Sequence, residues 1–276
     1  FRRGYFIGHS TGVGKGRQVS AILLDNYLKG SKKALWISKS ETLLEDARRD
    51  WTALGGNPEQ IIPLSRFRQG EVIEISEGII FATYATLRTE AKEGTKSRVQ
   101  QLIDWCGSEF EGVIVFDESH AMGNATSEKG TRGIKKASLQ GTAGLRLQHG
   151  LPLARILYVS ATGATTINNL AYAQRLGLWL SQEFPFASQA DFVAEMEKGG
   201  IAALEVVSRD LKALGLYSAV SLSYQGVEYD ILEHELTSEQ TAIYNAYADA
   251  FQIIHQHLEA ALQATNITSP SGQTRN

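Results

Sequence analysis

The sequence predicts an α/β protein with a mostly parallel sheet covered by helices on both faces, followed by a C-terminal hairpin and a long helix. Three observations predict this class. Near-continuous apolar runs alternate with helix-spaced apolar patterns, a glycine-rich loop separates the first predicted strand from the first helix, and two polar motifs directly follow later strands. Since the carboxyl ends of parallel strands share one edge, we expect the functional site at that edge.

The first predicted strand, residues 4–7, leads into a glycine-rich loop at residues 8–17 and then into a helix. Backbone N–H groups of such a loop converge on one anion, and Lys15 adds a cation for the β- and γ-phosphates of a nucleotide. Two positions depart from the pattern G-x-x-x-x-G-K-[ST], because His9 replaces the first glycine and Gly16 replaces the hydroxyl residue. Taken alone, the loop is also compatible with a purely structural turn. The predicted nucleotide-binding residues are Ser10, Thr11, Gly12, Val13, Gly14, Lys15, Gly16 and Arg17.

The alternation of strand and helix continues along the chain. Apolar runs predict further strands at residues 34–38, 61–64, 78–83, 112–116 and 154–159. Apolar residues spaced three and four apart predict helices at residues 41–51, 99–106 and 191–217. These elements make one large α/β domain the natural interpretation.

The C-terminal part has a different pattern. Residues 220–224 and 227–232 alternate about a Gln225-Gly226 turn and predict a β-hairpin. Thr237 and Gln240 form a capping-box pattern that predicts the start of a long final helix. The polar residues 265–276 predict a disordered tail.

Composition sets limits on partners and compartment. A chain of 276 residues with 43% hydrophobic content can bury the core of one full domain plus an appendage. The net charge of −3 means that any nucleic acid would bind a local basic groove and not a generally cationic surface. The single cysteine, Cys106, cannot form an internal disulfide and is expected to be a core thiol. No membrane span or signal peptide is predicted, and the expected location is the cytoplasm, or the nucleus in a eukaryote.

An acid pair, Asp117-Glu118, follows the strand predicted at residues 112–116. An NTPase needs one carboxylate to hold Mg²⁺, usually through water, and a second to orient and deprotonate the attacking water. A solvated strand end would also explain an isolated pair. The loop upstream and Ser160-Ala161-Thr162 downstream, each at a predicted strand end, favour the catalytic interpretation, with Lys15, Asp117 and Glu118 as catalytic residues and Asp117 as the Mg²⁺ residue.

These motifs together resemble a known group of proteins. The loop with Lys15, Asp117-Glu118-Ser119-His120 and Ser160-Ala161-Thr162 resemble motifs I, II and III of superfamily 2 helicases and translocases, the second as a variant of the DEAH box. More narrowly, residues 12–17, 110–118, 160–164 and 196–217 resemble the strawberry notch family of helicase-like ATPases. The resemblance extends over about residues 4–248. Gly16 matches the Lys-Gly-Arg common in that family, whereas His9 stands where Asp is expected and Ser119 where Cys or Ala is expected.

The resemblance implies a RecA-like fold, ATP and Mg²⁺ as cofactors, and a DNA or RNA backbone as partner. Ser38 and Lys39 correspond to motif Ia, and Thr83 and Tyr84 to motif Ib, both of which touch nucleic acid. The residues implied to couple the motifs are His120, Ser160 and Thr162. Simple strand capping is the alternative for these hydroxyl residues. Basic residues between 129 and 146 fit either a solvated loop or a phosphate-binding patch.

The resemblance also implies the domain organisation. Residues 1–218 correspond to the first RecA-like, ATP-binding helicase domain, and residues 219–264 to a hairpin and linker helix. That helix leads toward a second RecA-like domain, absent from this sequence, which would bring an arginine finger. We expect a nucleic-acid-dependent ATPase, and a fragment that is catalytically incomplete alone. The alternatives are a nucleotide-binding regulatory scaffold, which His9 favours, and a P-loop kinase, which the later motifs disfavour.

Overall fold

The computed structural model describes residues 2–91, 94–123, 125, 128–130, 133–135, 137–161, 170–220, 222–223 and 225–264. The chain divides into two compact units. The first comprises Phe1–Gly130 and Ile134–Ser223, and the second Thr131–Gly133 and Tyr224–Asn276.

The first unit is built on a parallel sheet. The strands of the described chain are β1 Tyr5–Ile7, β2 Lys33–Ser38, β3 Ile61–Pro63, β4 Gly78–Thr83, β5 Val113–Asp117, β6 Glu128–Gly130, β7 Gly133–Lys135, β8 Arg155–Val159 and β9 Tyr217–Ser218. Seven of them form one sheet in the order β3-β4-β2-β5-β8-β1-β9, with every neighbouring pair parallel, while β6 and β7 form a separate two-stranded sheet. The predicted parallel α/β fold is therefore confirmed.

The strand register places three chain segments at one edge. Val159 of β8 is level with both Ile7 of β1 and Asp117 of β5. The residues that follow β1, β5 and β8 therefore emerge side by side at the carboxyl edge. This is the edge where open α/β sheets bind ligands.

Helices cover both faces of this sheet. The helices are α1 Lys15–Leu28, α2 Leu43–Thr52, α3 Tyr84–Leu87, α4 Arg98–Cys106, α5 Leu139–Gly150, α6 Gln189–Ala213 and α7 Ser238–Ala264. Apolar side chains of α1 and α2 pack on one face with alternate strand residues such as Trp36 and Val115, while α4, α5 and α6 pack on the other face with residues such as Ile37 and Phe116. This alternation follows from the opposite directions of successive strand side chains.

Single residues explain the start of α4 and an interruption of α6. Ser97 caps α4 by accepting a hydrogen bond of 3.2 Å from the N–H of Gln100. Gly200 interrupts α6 with φ 58° and ψ −142°, a conformation that favours glycine. The helix predicted at residues 191–217 ends at Ala213, and Tyr217–Ser218 instead form β9 beside β1.

The second unit contains α7, whose predicted capping box is confirmed. Thr237 Oγ1 accepts from the N–H of Gln240 at 3.2 Å, and Gln240 Oε1 accepts from the N–H of Thr237 at 3.0 Å. The predicted hairpin is wrong, because no described residue between 219 and 237 belongs to a strand. Val227, Tyr229 and Ile231 are 61%, 84% and 81% exposed, so their alternation has no buried face to support a strand. The tail at residues 265–276 lies outside the described residues.

Three further findings concern the described residues. Cys106 is free and buried, and burial raises the pKa of its thiol to about 12, as expected of a core residue. No described helix is long and apolar enough to cross a membrane. No group of three or more His, Cys, Asp or Glu side chains in the described part of the chain is arranged to hold a metal by itself.

Candidate nucleotide-binding site

The glycine-rich loop lies between β1 and α1 at the carboxyl edge of the sheet. Gly12 and Gly14 have φ values of 89° and 84°, in the left-handed region where a Cβ is costly. Gly14 directly precedes α1, so the free N–H groups of the first helical turn are presented beside the loop. A glycine turn that opens a helix in this way fits a phosphate group.

Lys15, the first residue of α1, folds back over the loop. Its Nζ donates to the main-chain oxygens of His9 at 3.1 Å and Ser10 at 3.2 Å. The ammonium therefore stands within the loop, where a phosphate oxygen can replace one of these carbonyls. This geometry supports Lys15 as the phosphate cation.

His9 and Ser10 attach the beginning of the loop to the chain that follows β9. The N–H of Val220 donates to Nδ1 of His9 at 2.8 Å, and the N–H of Ser10 donates to the carbonyl of Val220 at 3.0 Å. The N–H of Leu222 donates to Ser10 Oγ at 3.2 Å. His9 is buried in this arrangement, and its ring accepts a structural hydrogen bond from the chain that follows β9.

Gly8 is fixed by the same neighbouring segment. A Cβ on Gly8 would lie 2.6 Å from Cζ of Tyr217 on β9, closer than a Cβ contact allows. The N–H of Gly8 also donates to the carbonyl of Ser218 at 2.7 Å. The absence of a side chain at this position therefore serves packing inside the protein.

Asp117 ends β5 and is held by polar groups of β2. Its Oδ2 accepts from Ser38 Oγ at 3.1 Å and from Trp36 Nε1 at 3.5 Å, and its Oδ1 accepts from the N–H of Glu118 at 3.0 Å. Burial raises the pKa of Asp117, and the negative charge of Glu118 raises it further, while these hydrogen bonds lower it. A carboxylate that is costly to ionise alone is well suited to a position beside a cation.

Glu118 has a left-handed backbone, with φ 48° and ψ 46°. Such a conformation is uncommon for a residue with a Cβ and is found mostly where the surrounding structure enforces it, often at functional sites. It turns the chain sharply at the end of β5. The Asp117 side chain contacts β2, whereas the Glu118 side chain contacts His120.

His120 connects Glu118 to the end of β8. Its Nδ1 lies 3.2 Å from Glu118 Oε2 and 3.1 Å from Ser160 Oγ. The N–H of Ser160 donates to the carbonyl of Ile7 at 3.1 Å, which joins this group to β1. The structure thus brings together the predicted residues His120 and Ser160, while Thr162 lies outside the described residues.

The residues predicted to touch nucleic acid lie in two different environments. Ser38 and Tyr84 are buried, and both bond to Asp117, the Tyr84 hydroxyl donating to its main-chain carbonyl at 2.8 Å. Thr83 is buried and caps α3 by accepting from the N–H of Thr86 at 3.1 Å. Only Lys39 of this set has an exposed side chain. In this arrangement Ser38 and Tyr84 position the acid pair, which sequence reasoning missed because the contacts join separate strands.

The basic segment is described only in part. Arg146 on α5 pairs with Glu90 at 3.3 Å. Arg132 and Lys136 lie outside the described residues.

A cleft of about 720 Å³ joins the loop to the acid pair. Lys15, Gly16, Trp36, Asp50, Asp117 and Glu118 are among the residues that line it. Its volume falls within the range of small-molecule sites in proteins, about 300–1,000 Å³. Asp50 on α2 was not predicted, because only the packing of α2 against α1 places it there.

The chain matches the family described as P-loop containing NTP hydrolase pore-1 over residues 1–246. The chain belongs to this family. Among its relatives are strawberry notch homolog 2 of Homo sapiens, 41% identical over 261 residues, and strawberry notch of Drosophila melanogaster, 40% identical over 269 residues. The strawberry notch resemblance is thereby confirmed.

The match covers 92% and 94% of this chain but only 18% and 16% of the two relatives. The chain therefore spans less than a fifth of the length of either protein. Protein FORGETTER 1 of Arabidopsis thaliana is 40% identical over 253 residues, which is 90% of this chain and 19% of that protein.

Solved structures agree on the fold. The Sulfolobus solfataricus SWI2/SNF2 ATPase core in complex with dsDNA has a TM-score of 0.53 at 15% identity, covering 79% of this chain and 40% of that chain. The ATPase core domain from the same organism has a TM-score of 0.51 at 17% identity, covering 90% of this chain and 47% of that chain. At these identities the likeness shows a RecA-like helicase core fold. This chain is accordingly a P-loop NTPase domain with a helicase-like fold.

Proposed function

We propose that this domain binds ATP with Mg²⁺ and hydrolyses it as part of a nucleic-acid-dependent motor. The observation that carries the proposal is the convergence at one sheet edge of Lys15, the pair Asp117 and Glu118, and the contact of His120 with Ser160. Three separate strands supply these groups in level register. A nucleotide phosphate chain requires this combination of amide groups, a cation and two carboxylates.

Each side chain has a role that follows from its position. The loop amides and Lys15 bind the β- and γ-phosphates, and Asp117 holds the hydrated Mg²⁺, which when bound neutralises phosphate charge. Glu118 accepts a proton from the attacking water and orients it. Ser38 and Trp36 keep Asp117 in place through their bonds to Oδ2.

His120 connects the catalytic carboxylate of Glu118 to Ser160 at the end of β8. Because its Nδ1 faces both Glu118 and Ser160, a change at the end of β8 alters the surroundings of the catalytic carboxylate. We infer that nucleic acid acts on hydrolysis through this contact. The exposed Lys39, next to Ser38 at the end of β2, is the candidate for a phosphate contact, since cations bind the nucleic-acid backbone without reading sequence.

The nucleic-acid partner and a second RecA-like domain of the same protein belong to this proposal. The family resemblance supports both. A second domain would bring an arginine to the γ-phosphate, a contribution of about 10³–10⁵ in rate in other phosphoryl-transfer systems.

The test is ATP turnover by the full-length protein, which contains this domain, with and without single- and double-stranded DNA and RNA. The proposal expects Mg²⁺-dependent turnover that rises with nucleic acid, and loss of turnover in Glu118→Gln. Nucleotide binding without turnover under all conditions would instead support a regulatory scaffold. Absence of nucleotide binding would contradict the proposal altogether.

A further inference from the structure

Position 16 lacks the hydroxyl that follows the lysine in the common phosphate-loop pattern, and a carboxylate of another helix stands at that place. A Cβ built on Gly16 would overlap Oδ2 of Asp50 and would lie 3.3 Å from its Cγ. Asp50 is in the last turn of α2, and α2 packs against α1. The Asp50 oxygen therefore occupies the space that a side chain at position 16 would fill.

The surroundings of Asp50 leave this carboxylate incompletely paired. Its side chain is 16% exposed, and its ion pairs with Arg17 and Arg49 are long, at 3.6 Å and 3.9 Å. Both arginine side chains are mostly exposed. No described residue donates a hydrogen bond to it within 3.5 Å. With only these distant guanidinium partners, the carboxylate has an oxygen available for a further ligand.

The position of Asp50 indicates which ligand that is. Asp50 lines the same cleft as Lys15, Asp117 and Glu118. In the common pattern the missing hydroxyl binds Mg²⁺, and a carboxylate oxygen is also a ligand that Mg²⁺ prefers. A carboxylate from α2 can therefore provide from outside the loop what position 16 cannot.

We propose that Asp50 replaces the phosphate-loop hydroxyl and supplies the protein oxygen, directly or through one water, that holds Mg²⁺ against the bound nucleotide. This assignment rests on the proposed function, because it places a residue toward the Mg²⁺ of the same site. It also explains the glycine at position 16, since any Cβ there would displace the carboxylate. The alternative is that Asp50 only anchors Arg17, in which case its removal should affect nucleotide binding equally with and without Mg²⁺.

The test measures nucleotide affinity by calorimetry with ADP, once in Mg²⁺ and once in EDTA. The wild-type protein should bind ADP more tightly in Mg²⁺. Asp50→Asn should lose most of that gain, about tenfold or more, while its affinity in EDTA stays equal to that of the wild type. Glu45→Gln is the matched control, because it makes the same change on an exposed side chain of α2 that pairs with Arg48.

A second test removes the Asp50 carboxylate and places a hydroxyl at position 16 instead. Gly16→Thr alone should bind ADP more weakly in Mg²⁺, because the new side chain and the Asp50 carboxylate compete for the same space. The double variant Gly16→Thr, Asp50→Ala removes the overlap and restores a hydroxyl, so Mg²⁺-dependent affinity should return. Recovery in the double variant would not follow if Asp50 merely anchored Arg17.

Failure of the Asp50 assignment and failure of nucleotide binding would give different results. Equal weakening by Asp50→Asn in Mg²⁺ and in EDTA would overturn the role of Asp50 while leaving nucleotide binding intact. Failure of the wild-type protein to bind ADP under either condition would overturn the proposed function and this inference together.

Discussion

The hydroxyl of Tyr84 donates a 2.8 Å hydrogen bond to the main-chain carbonyl of Asp117, and so ties the start of α3 to the acid pair. Burial is the main reason that the pKa of Tyr84 is raised well above its ordinary value, and the nearby Asp117 adds to it. The hydroxyl therefore stays protonated and remains a donor.

Tyr84→Phe should lower the free energy of unfolding by about 1 kcal/mol, because it leaves a buried carbonyl without its donor. Chemical denaturation measures the change. Tyr229→Phe, at an exposed tyrosine, is the control and should have no effect. Weaker nucleic-acid binding with unchanged stability would show instead that Tyr84 reaches the phosphate backbone.

Lys15→Ala should abolish detectable ATP binding, because the loop loses its cation for phosphate charge. The bonds that Lys15 makes to His9 and Ser10 end on carbonyls at a partly exposed position, so the fold should persist. Calorimetry measures the affinity. Lys29→Ala removes an exposed lysine beyond the other end of α1 and should bind ATP normally. An unchanged affinity in Lys15→Ala would refute the phosphate-loop assignment.

Glu118→Gln should keep ATP binding and lower the rate of hydrolysis by about 10²–10⁴, the contribution typical of a general base. Glutamine has nearly the same shape, so the turn at the end of β5 should be retained. Binding and single-turnover hydrolysis are measured on the same preparation of the full-length protein. A parallel loss of both would mean that Glu118 is required for the structure and not for the chemistry.

Asp117→Asn should raise the thermal stability of the nucleotide-free protein, because it removes a buried charge and its repulsion with Glu118. The amide oxygen can accept from the N–H of Glu118, and the Ser38 hydroxyl can rotate to accept from the new NH₂ group, so only the long 3.5 Å bond from Trp36 Nε1 is lost. Thermal unfolding with and without Mg²⁺·ADP measures the effect. The same variant should lose stabilisation by Mg²⁺·ADP, and a destabilised Asn variant would contradict the argument.

The difference in stability between Asp117→Asn and the wild type should also depend on pH. Since the folded-state pKa of Asp117 is raised above its ordinary value of 3.8, the native state binds the proton more tightly than the unfolded state. The wild type therefore loses stability as pH rises from about 3.8 through the folded-state pKa. The advantage of the Asn variant should vanish below this window and be complete above it.

Much of the sheet could be predicted from the sequence, because β2, β4, β5 and β8 are buried on both faces and consist almost entirely of apolar residues. The residues at the ends of β1, β5 and β8 were predicted for the same reason, since parallel strands bring their carboxyl ends together. Strand β9 could not be predicted. Its two residues, Tyr217 and Ser218, are a strand only because β1 provides an edge for pairing.

The rest of the site depends on contacts between elements, which sequence spacing does not report. Ser38 and Tyr84 resemble nucleic-acid contacts in sequence but turn inward to Asp117 in the structure. Asp50 has no motif of its own, and only the packing of α2 on α1 brings it to Gly16. His9 is unusual in the loop pattern, yet its bond to Val220 gives it a structural role that no local pattern indicates.

Gly8 and Tyr217 are far apart in the sequence but are in contact in the fold, so substitutions at the two positions are coupled. A Cβ on Gly8 would overlap the ring of Tyr217, so a larger residue at position 8 requires this ring to move or position 217 to become smaller. The order of mutations is thereby constrained, and the two positions should covary among descendants of this sequence. The glycine at the beginning of the loop is consequently explained by the neighbouring strand β9, whatever the loop binds.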